Sequence, residues 1–204
     1  EKSLFRAAAL NYTAKNYQKS LDQFQKLEQT ADFKDNILNS YAGQMRCNYL
    51  LGNCEAALTY AQKLLHEEKT AAEIIQEANY YSGKCALLKE DLALARQSFR
   101  EVEKISGERG AEAKYSLALI LSKEKKFKDS NKKAFEVIKQ DPSYDYWRAK
   151  SFILLGDNYL SLADTFQAKS TWKSIIDNYE KNTADAEDII SIAQQKYDAV
   201  VNDE

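Results

Sequence analysis

Proline and glycine are both scarce in this chain, with one proline and six glycines in 204 residues. Average usage would give roughly 10 and 14. So few breakers exclude a turn-rich all-β fold, a collagen-like chain and a flexible Pro/Gly linker, and they favour long helices in close succession. Cysteine is limited to Cys47, Cys54 and Cys85, an odd number without CxxC spacing. A disulfide framework is therefore not expected, and at least one thiol is free or paired outside the chain. The single histidine, His66, removes HExxH, two-histidine metal sites and most acid–base relays from consideration. No GxxxxGK[ST], GxGxxG or GxSxG run is present, so neither a phosphate cradle nor a nucleophile elbow is written in the usual way. Apolar stretches such as 117–121 fall far short of the ~20 residues that span a bilayer. The 29 basic residues nearly balance the 31 acidic ones, for a net charge of −2. Bulk electrostatics gives no reason to expect nucleic acid or anionic lipid as a partner.

What is present is a soluble balance, 44% apolar and 29% charged, and a repeat. Short polar turns fall at Lys15-Asn16-Tyr17, Gly52-Asn53-Cys54, Glu90-Asp91-Leu92, Lys125-Lys126-Phe127 and Ala163-Asp164-Thr165, spaced by 37, 38, 35 and 38 residues. Three residues after each turn stands a small residue: Ser20, Ala57, Ala95, Ser130 and Ala168. Further on in each unit come Phe24, Ala61, Phe99, Ala134 and Trp172, and then aliphatic Leu27, Leu64, Val102, Val137 and Ile175. Spacing of i, i+4, i+7 puts the three columns on one helix face, and the small position allows a close helix crossing. Upstream of each turn a second helical segment carries Ala8, Met45, Gly83, Ala118 and Gly156, with Met45 the exception to small size. Each unit reads as helix, tight turn, helix.

This pattern resembles the tetratricopeptide repeat. The fifth unit matches best: Phe152, Leu155-Gly156 and Tyr159 stand where the motif has W, LG and Y, followed by Ala168, Trp172 and Ile175. Asp141-Pro142 stands at the closing Pro of the fourth unit. Asn79 and Lys114 depart from the large aromatic position. The resemblance covers residues 1 to about 180 and implies an all-α, right-handed α-α superhelix of about five helix pairs plus a C-terminal capping helix. The expected units are 1–36, 38–71, 76–110, 111–146 and 149–182, with the capping helix at 184–202, in one solenoid domain. The units exceed the family's usual 34 residues, and the surplus is expected in the second helix or the following loop. Stretched repeats of this kind are similar to those of bacterial envelope proteins, which points to the periplasm or cell envelope ahead of the cytoplasm.

After residue 182, Ile189, Ile190, Ala193, Tyr197, Val200 and Val201 fall at helical spacing among polar residues. Asn182-Thr183 is the expected N-cap. Such a helix closes the apolar face that the last unit exposes. The tail Asn202-Asp203-Glu204 reads as a natural end. The first unit has no cap, so further repeats or another domain are expected before Glu1.

In a superhelix of this family the first helix of each pair lines the concave side. At about 100° per residue, motif positions 2, 5, 9 and 12 form that face. They hold Phe5, Tyr12, Arg46, Tyr49, Tyr80, Lys84, Tyr115 and Leu119, and then Ile153, Asp157 and Leu160. The first eight are the candidate peptide-binding residues, since tyrosine offers apolar area with one hydrogen-bonding end. The alternative is that the rings only pack between units. Phe5, Ala9, Gly43 and Tyr80-Tyr81 replace most of the Lys/Asn set with which chaperone-tail-binding relatives hold a terminal carboxylate, so no such clamp is expected.

The remaining features read as structural. His66 ends a second helix beside Glu67 and Glu68. Cys47 and Cys85 share one position in consecutive units and read as small core residues, too far apart to bridge, while Cys54 sits at a packing position. Lys123, Lys125, Lys126, Lys128, Lys132 and Lys133 bracket the fourth turn and read as a solvated face; an acidic-partner or nucleic-acid patch is the alternative, with Phe127 as the one interleaved ring. The sequence thus points to a non-enzymatic scaffold for a protein or peptide partner, without metal, cofactor, nucleic acid or membrane span, and capable of self-association. The alternative function is a spacer or oligomerisation arm of a larger envelope assembly.

Overall fold

The structure is a computed structural model and describes residues 1–181 and 183–202. Asn182 of the expected N-cap and Asp203-Glu204 of the tail lie outside the described residues. Among the described residues all regular structure is helical: α1 (Lys2–Thr13), α2 (Tyr17–Thr30), α3 (Lys34–Leu50), α4 (Cys54–Leu65), α5 (Ala72–Leu88), α6 (Leu92–Val102), α7 (Glu108–Lys123), α8 (Phe127–Ile138), α9 (Asp145–Ser161), α10 (Thr165–Asn178) and α11 (Ala186–Val201). The chain divides into two compact units, Glu1–Val102 and Glu103–Glu204. In unit 1 each helix packs on the next, and α3 also packs on α1 and α5. In unit 2 the helices again pack in succession, α9 bridges α7 and α11, and α11 lies on α10.

The five turns share one device. Each first helix ends in a pair of back-bonds: Asn16 N–H reaches Asn11 O at 2.8 Å and Lys15 N–H reaches Tyr12 O at 2.9 Å, and the other four turns repeat this pattern. This is the Schellman arrangement, and it requires one left-handed residue. Gly52 supplies it at φ 80°, but Lys15, Glu90, Lys125 and Ala163 adopt it at φ 59–61°, against the Cβ penalty.

The core columns complement one another in volume. A Cβ on Gly156 would overlap the Trp172 indole, and one on Gly83 would lie 2.9 Å from the Phe99 ring. Ala8 stands in the same register opposite Phe24. Met45 breaks the small column because its counterpart is Ala61: both are fully buried, with the bulk moved from the second helix to the first. In the fourth pair both positions are small, Ala118 and Ala134, and Leu154 and Leu155 of α9 complete that core. The interior is filled pair by pair, as close packing demands.

Two of the small positions are also polar for a reason. Ser20 Oγ donates to Ala8 O at 2.9 Å, and Ser130 Oγ donates to Ala118 O at 2.8 Å. The next first helix then bonds back to each serine. Cys47 Sγ lies 3.4 Å from Ser20 Oγ, and Asn158 Nδ2 donates to Ser130 Oγ and to Asn131 Oδ1, both at 2.8 Å.

Two expectations are corrected. The surplus length of the repeat sits at the N-termini of the first helices: with the small residue as motif position 8, α3, α5, α7 and α9 begin three or four residues before position 1. The second helices stay at 11 to 14 residues. The added turns bury residues such as Gly110 and make contacts such as the 2.7 Å ion pair of Lys34 with Glu67. The N-cap position of the terminal helix is Asp185, without a side-chain cap bond, and not Thr183; Tyr179 Oη donates to the Asp185 carboxylate at 2.6 Å. From there α11 buries Ile189 and Ala193 against Trp172 and Ile175.

Candidate functional site: the first-helix strips

In unit 1, α1, α3 and α5 bring together residues far apart in sequence. Tyr49 packs on Tyr81 with centroids 4.8 Å apart, and Tyr80 meets Tyr81 edge-on at 5.3 Å. Lys84 Nζ donates to Tyr80 Oη at 3.1 Å and stands over the Tyr80 and Tyr49 rings at 5.1 and 5.6 Å. Arg46 is ion-paired with Glu77, with Nε donating at 2.8 Å. Tyr12 joins through a hydrogen bond with Tyr81, and burial pushes its phenol pKa up. Burial opposes the Arg46 charge, but Glu77, by hydrogen bond and charge, outweighs it and raises the guanidinium pKa. Tyr12, Arg46, Tyr49 and Lys84 are half-buried, whereas Tyr80 is only 9% exposed. Phe5 lies apart from this group, edge-on to Phe24 at 6.3 Å in the core of the first pair.

Unit 2 has its own strip. Tyr115 packs on Trp147 at 5.5 Å, Trp147 meets Tyr146 at 4.8 Å, and Lys150 Nζ stands 5.9 Å over the Tyr115 ring. Leu119 and Tyr115 rest on the Leu154–Leu155 core. Asp157 pairs with Lys196 of α11 at 2.8 Å. Burial pushes the Asp157 carboxyl up against the pull of Lys196 and Lys150. Burial likewise raises the Tyr115 phenol, with Tyr146 and Asp157 adding to the shift.

Sequence reasoning missed Glu77, Tyr81 and Trp147. Glu77 stands at motif position 2 and was within reach of the same helical arithmetic. Tyr81 lies outside the strip positions and enters by packing between α3 and α5. Tyr146 and Trp147 lie on the added turn of α9, which the 34-residue motif does not contain. The thiols stand where expected, with one added contact. Cys47 and Cys85 are core residues, and Cys85, its pKa pushed up by burial, is also hydrogen-bonded to Cys54. His66 is exposed at the end of α4, its Nδ1 2.7 Å from Gln62 O. Among the described residues no cluster of three or more His, Cys, Asp or Glu is placed to hold a metal ion, and no helix is long and apolar enough to cross a membrane.

A family model for the tetratricopeptide repeat (TPR) matches residues 146–182, the segment that carries Gly156 and Trp172. The chain has the TPR fold. It is similar to YrrB, a TPR protein with an unusual peptide-binding site, at a TM-score of 0.69 and 17% identity over 94% of this chain and 89% of that one. MamA is similar at a TM-score of 0.64 and 12% identity, over 96% of each chain. TTC0263, a thermophilic TPR protein in Thermus thermophilus, is similar at a TM-score of 0.53 and 14% identity, over 98% of each. No curated protein matches the chain by sequence. TPR helix pairs are stacked repeats that present extended side-chain surfaces along one set of helices.

Proposed function

We propose that the chain is a non-enzymatic protein-interaction scaffold that holds a polypeptide segment against the first-helix strip of unit 1. One observation carries this reading: Tyr12, Arg46, Tyr49 and Lys84 come from three helices yet form one half-open surface of rings and cations, with Tyr80 buried against it. Each ring offers roughly 0.5–1.5 kcal/mol to an aromatic contact beyond its buried area, and Lys84 stands over the Tyr49 and Tyr80 rings, where it adds cation–π attraction. Phe5, packed in the core of the first pair, is not part of this strip, and Tyr115 and Leu119 form the corresponding strip of unit 2. The peptide-binding site of YrrB, on a similar fold, is in keeping with this use.

The experiment is selection of peptides from a displayed library by the whole chain, followed by affinity measurement. Tyr49→Ala combined with Tyr80→Ala is expected to weaken selected peptides at least tenfold, with helicity retained by circular dichroism. Unchanged affinity removes this surface from the account.

A second reading has an observation of its own. Tyr80 is buried and Arg46 is already paired with Glu77, as in a spacer or oligomerisation arm of a larger bacterial cell-envelope assembly. Sedimentation separates the two readings: a chain that self-associates with its tyrosines protected favours the arm.

A further inference from the structure

The turn edge of unit 2 is unlike a surface built only for solubility. Asn158, near the end of α9, bonds to both helices that flank the turn at 124–126. Ser122 Oγ donates to Asn158 Oδ1 at 2.6 Å, and Asn158 Nδ2 donates to Ser130 and Asn131 of α8. The turns of the fourth and fifth pairs therefore lie side by side on one edge.

The first of these turns is basic. Lys123, Lys125, Lys126, Lys128 and Lys132 are all exposed, and the carboxylates at this edge are Glu124, Asp129 and Asp164. Lys126 pairs with Glu124 at 3.0 Å and Lys132 with Asp129 at 3.2 Å. Asp164 accepts the Gln167 N–H of the α10 cap at 3.1 Å. The positive excess sits on the turn beside α9, although the whole chain is nearly neutral.

The second turn is apolar. Phe166 is 74% exposed, Leu160 41% and Leu162 38%. The positions equivalent to Phe166 hold Gln18, Glu55, Ala93 and Lys128, so the core does not require a phenyl ring there. Protruding apolar side chains next to lysines are the composition of a surface that rests on a charged bilayer, with the apolar groups entering the acyl boundary and the cations meeting headgroups. Nucleic acid fits less well, because Phe127, the ring among the lysines, is half-buried and offers no stacking platform.

We infer that the edge formed by the 124–126 and 162–164 turns is a peripheral docking surface for an anionic membrane. Phe166, Leu160 and Leu162 insert, and the Lys125–Lys128 turn reads the negative headgroups. Leu160 also stands at a strip position of unit 2, but Phe166, Leu162 and the lysines do not, so either proposal stands if the other fails.

The test is co-sedimentation of the whole chain with vesicles of phosphatidylglycerol mixed into phosphatidylcholine, against phosphatidylcholine alone, at low and high salt. Retention on the anionic vesicles only, weakened by salt, is expected. Phe166→Ala should reduce it on the order of tenfold, and Lys125→Glu with Lys128→Glu by a similar factor or more. These side chains are exposed, so unchanged melting curves certify the fold. Absence of retention on anionic vesicles at low salt overturns the inference, as does retention indifferent to both variants. Equal retention on polyglutamate or duplex DNA, untouched by Phe166→Ala, also overturns it and assigns the lysines to an acidic macromolecule.

Discussion

Units 1 and 2 are built from the same helix pairs, yet they use their exposed positions differently. In unit 1 the strip formed by the first helices is the distinctive surface, with phenols interleaved with Arg46, Glu77 and Lys84. In unit 2 the corresponding positions hold one phenol, Tyr115, among Leu119, Leu160 and the buried Ile153, and the carboxylate Asp157 is turned to Lys196 of the closing helix. The distinctive surface there is the turn edge. The cores differ in the same spirit. Unit 1 places its bulk at Phe24, Met45 and Phe99, whereas unit 2 uses Leu154, Leu155 and Trp172. A repeat constrains which positions face inward. It leaves free how volume is divided between facing positions and what chemistry the outward ones carry.

Four substitution or pH experiments break or sharpen this comparison, and hydrogen exchange reads the two units apart. The largest effect is expected at the helix crossings. Gly156→Ala forces a methyl into the Trp172 indole and should cost about 3 kcal/mol. Gly83→Ala meets a ring at 2.9 Å and should cost roughly 1–2 kcal/mol. Equal losses would show that the crossings are not graded by the partner ring.

The buried polar links come next. Asn158→Ala strands the groups that Ser122, Ser130 and Asn131 present to it and should cost about 2–3 kcal/mol. Cys47→Ala, at the same register in unit 1, removes one weak thiol contact and should cost about 1 kcal/mol. Urea titration of the variants checks the order, and a larger loss at Cys47 would reverse it.

The turns follow. Ala163→Gly relieves a left-handed alanine and should raise the stability of unit 2 by about 1 kcal/mol, whereas Gly52→Ala should lower that of unit 1 by a similar amount. No gain at Ala163 would mean that the turn relaxes around its side chain.

The smallest effect is the attachment of α11. The Tyr179 hydrogen bond holds the Asp185 carboxyl below its ordinary range. Its contribution is therefore present above about pH 4 and is lost as pH falls through the folded-state value. Burial, together with the bond to Asp185, pushes Tyr179 up to about 12. Its contribution is complete below the ordinary phenol value of about 10 and disappears as pH rises toward the higher one. Amide exchange along α11 should thus quicken at both extremes before that of α3 does, and Tyr179→Phe should flatten the profile.

Much of the fold was legible because helical periodicity is local. Ser20, Phe24 and Leu27 share a face whatever surrounds them, and five such faces in phase leave few architectures open. That Tyr49, Tyr80 and Lys84 lie near one another was legible for the same reason, whereas the packing of Phe5 into the first core was not. Tyr81, Trp147 and the Cys54–Cys85 contact were not, because each depends on which neighbouring helix arrives, and in what rotation. The extra turns of α3, α5, α7 and α9 were misplaced because a long repeat states its surplus length but not the side on which packing accepts it.

By itself the amino-acid order determined the helices, their inward faces and the five turns, since backbone sterics and side-chain periodicity act within a few residues. Only the tertiary structure decided that Met45 answers Ala61, that Glu77 neutralises Arg46, and that a basic turn stands beside an apolar one. Those outcomes come from volume and charge matched between segments roughly a repeat apart, and such matching exists only once the helices have docked.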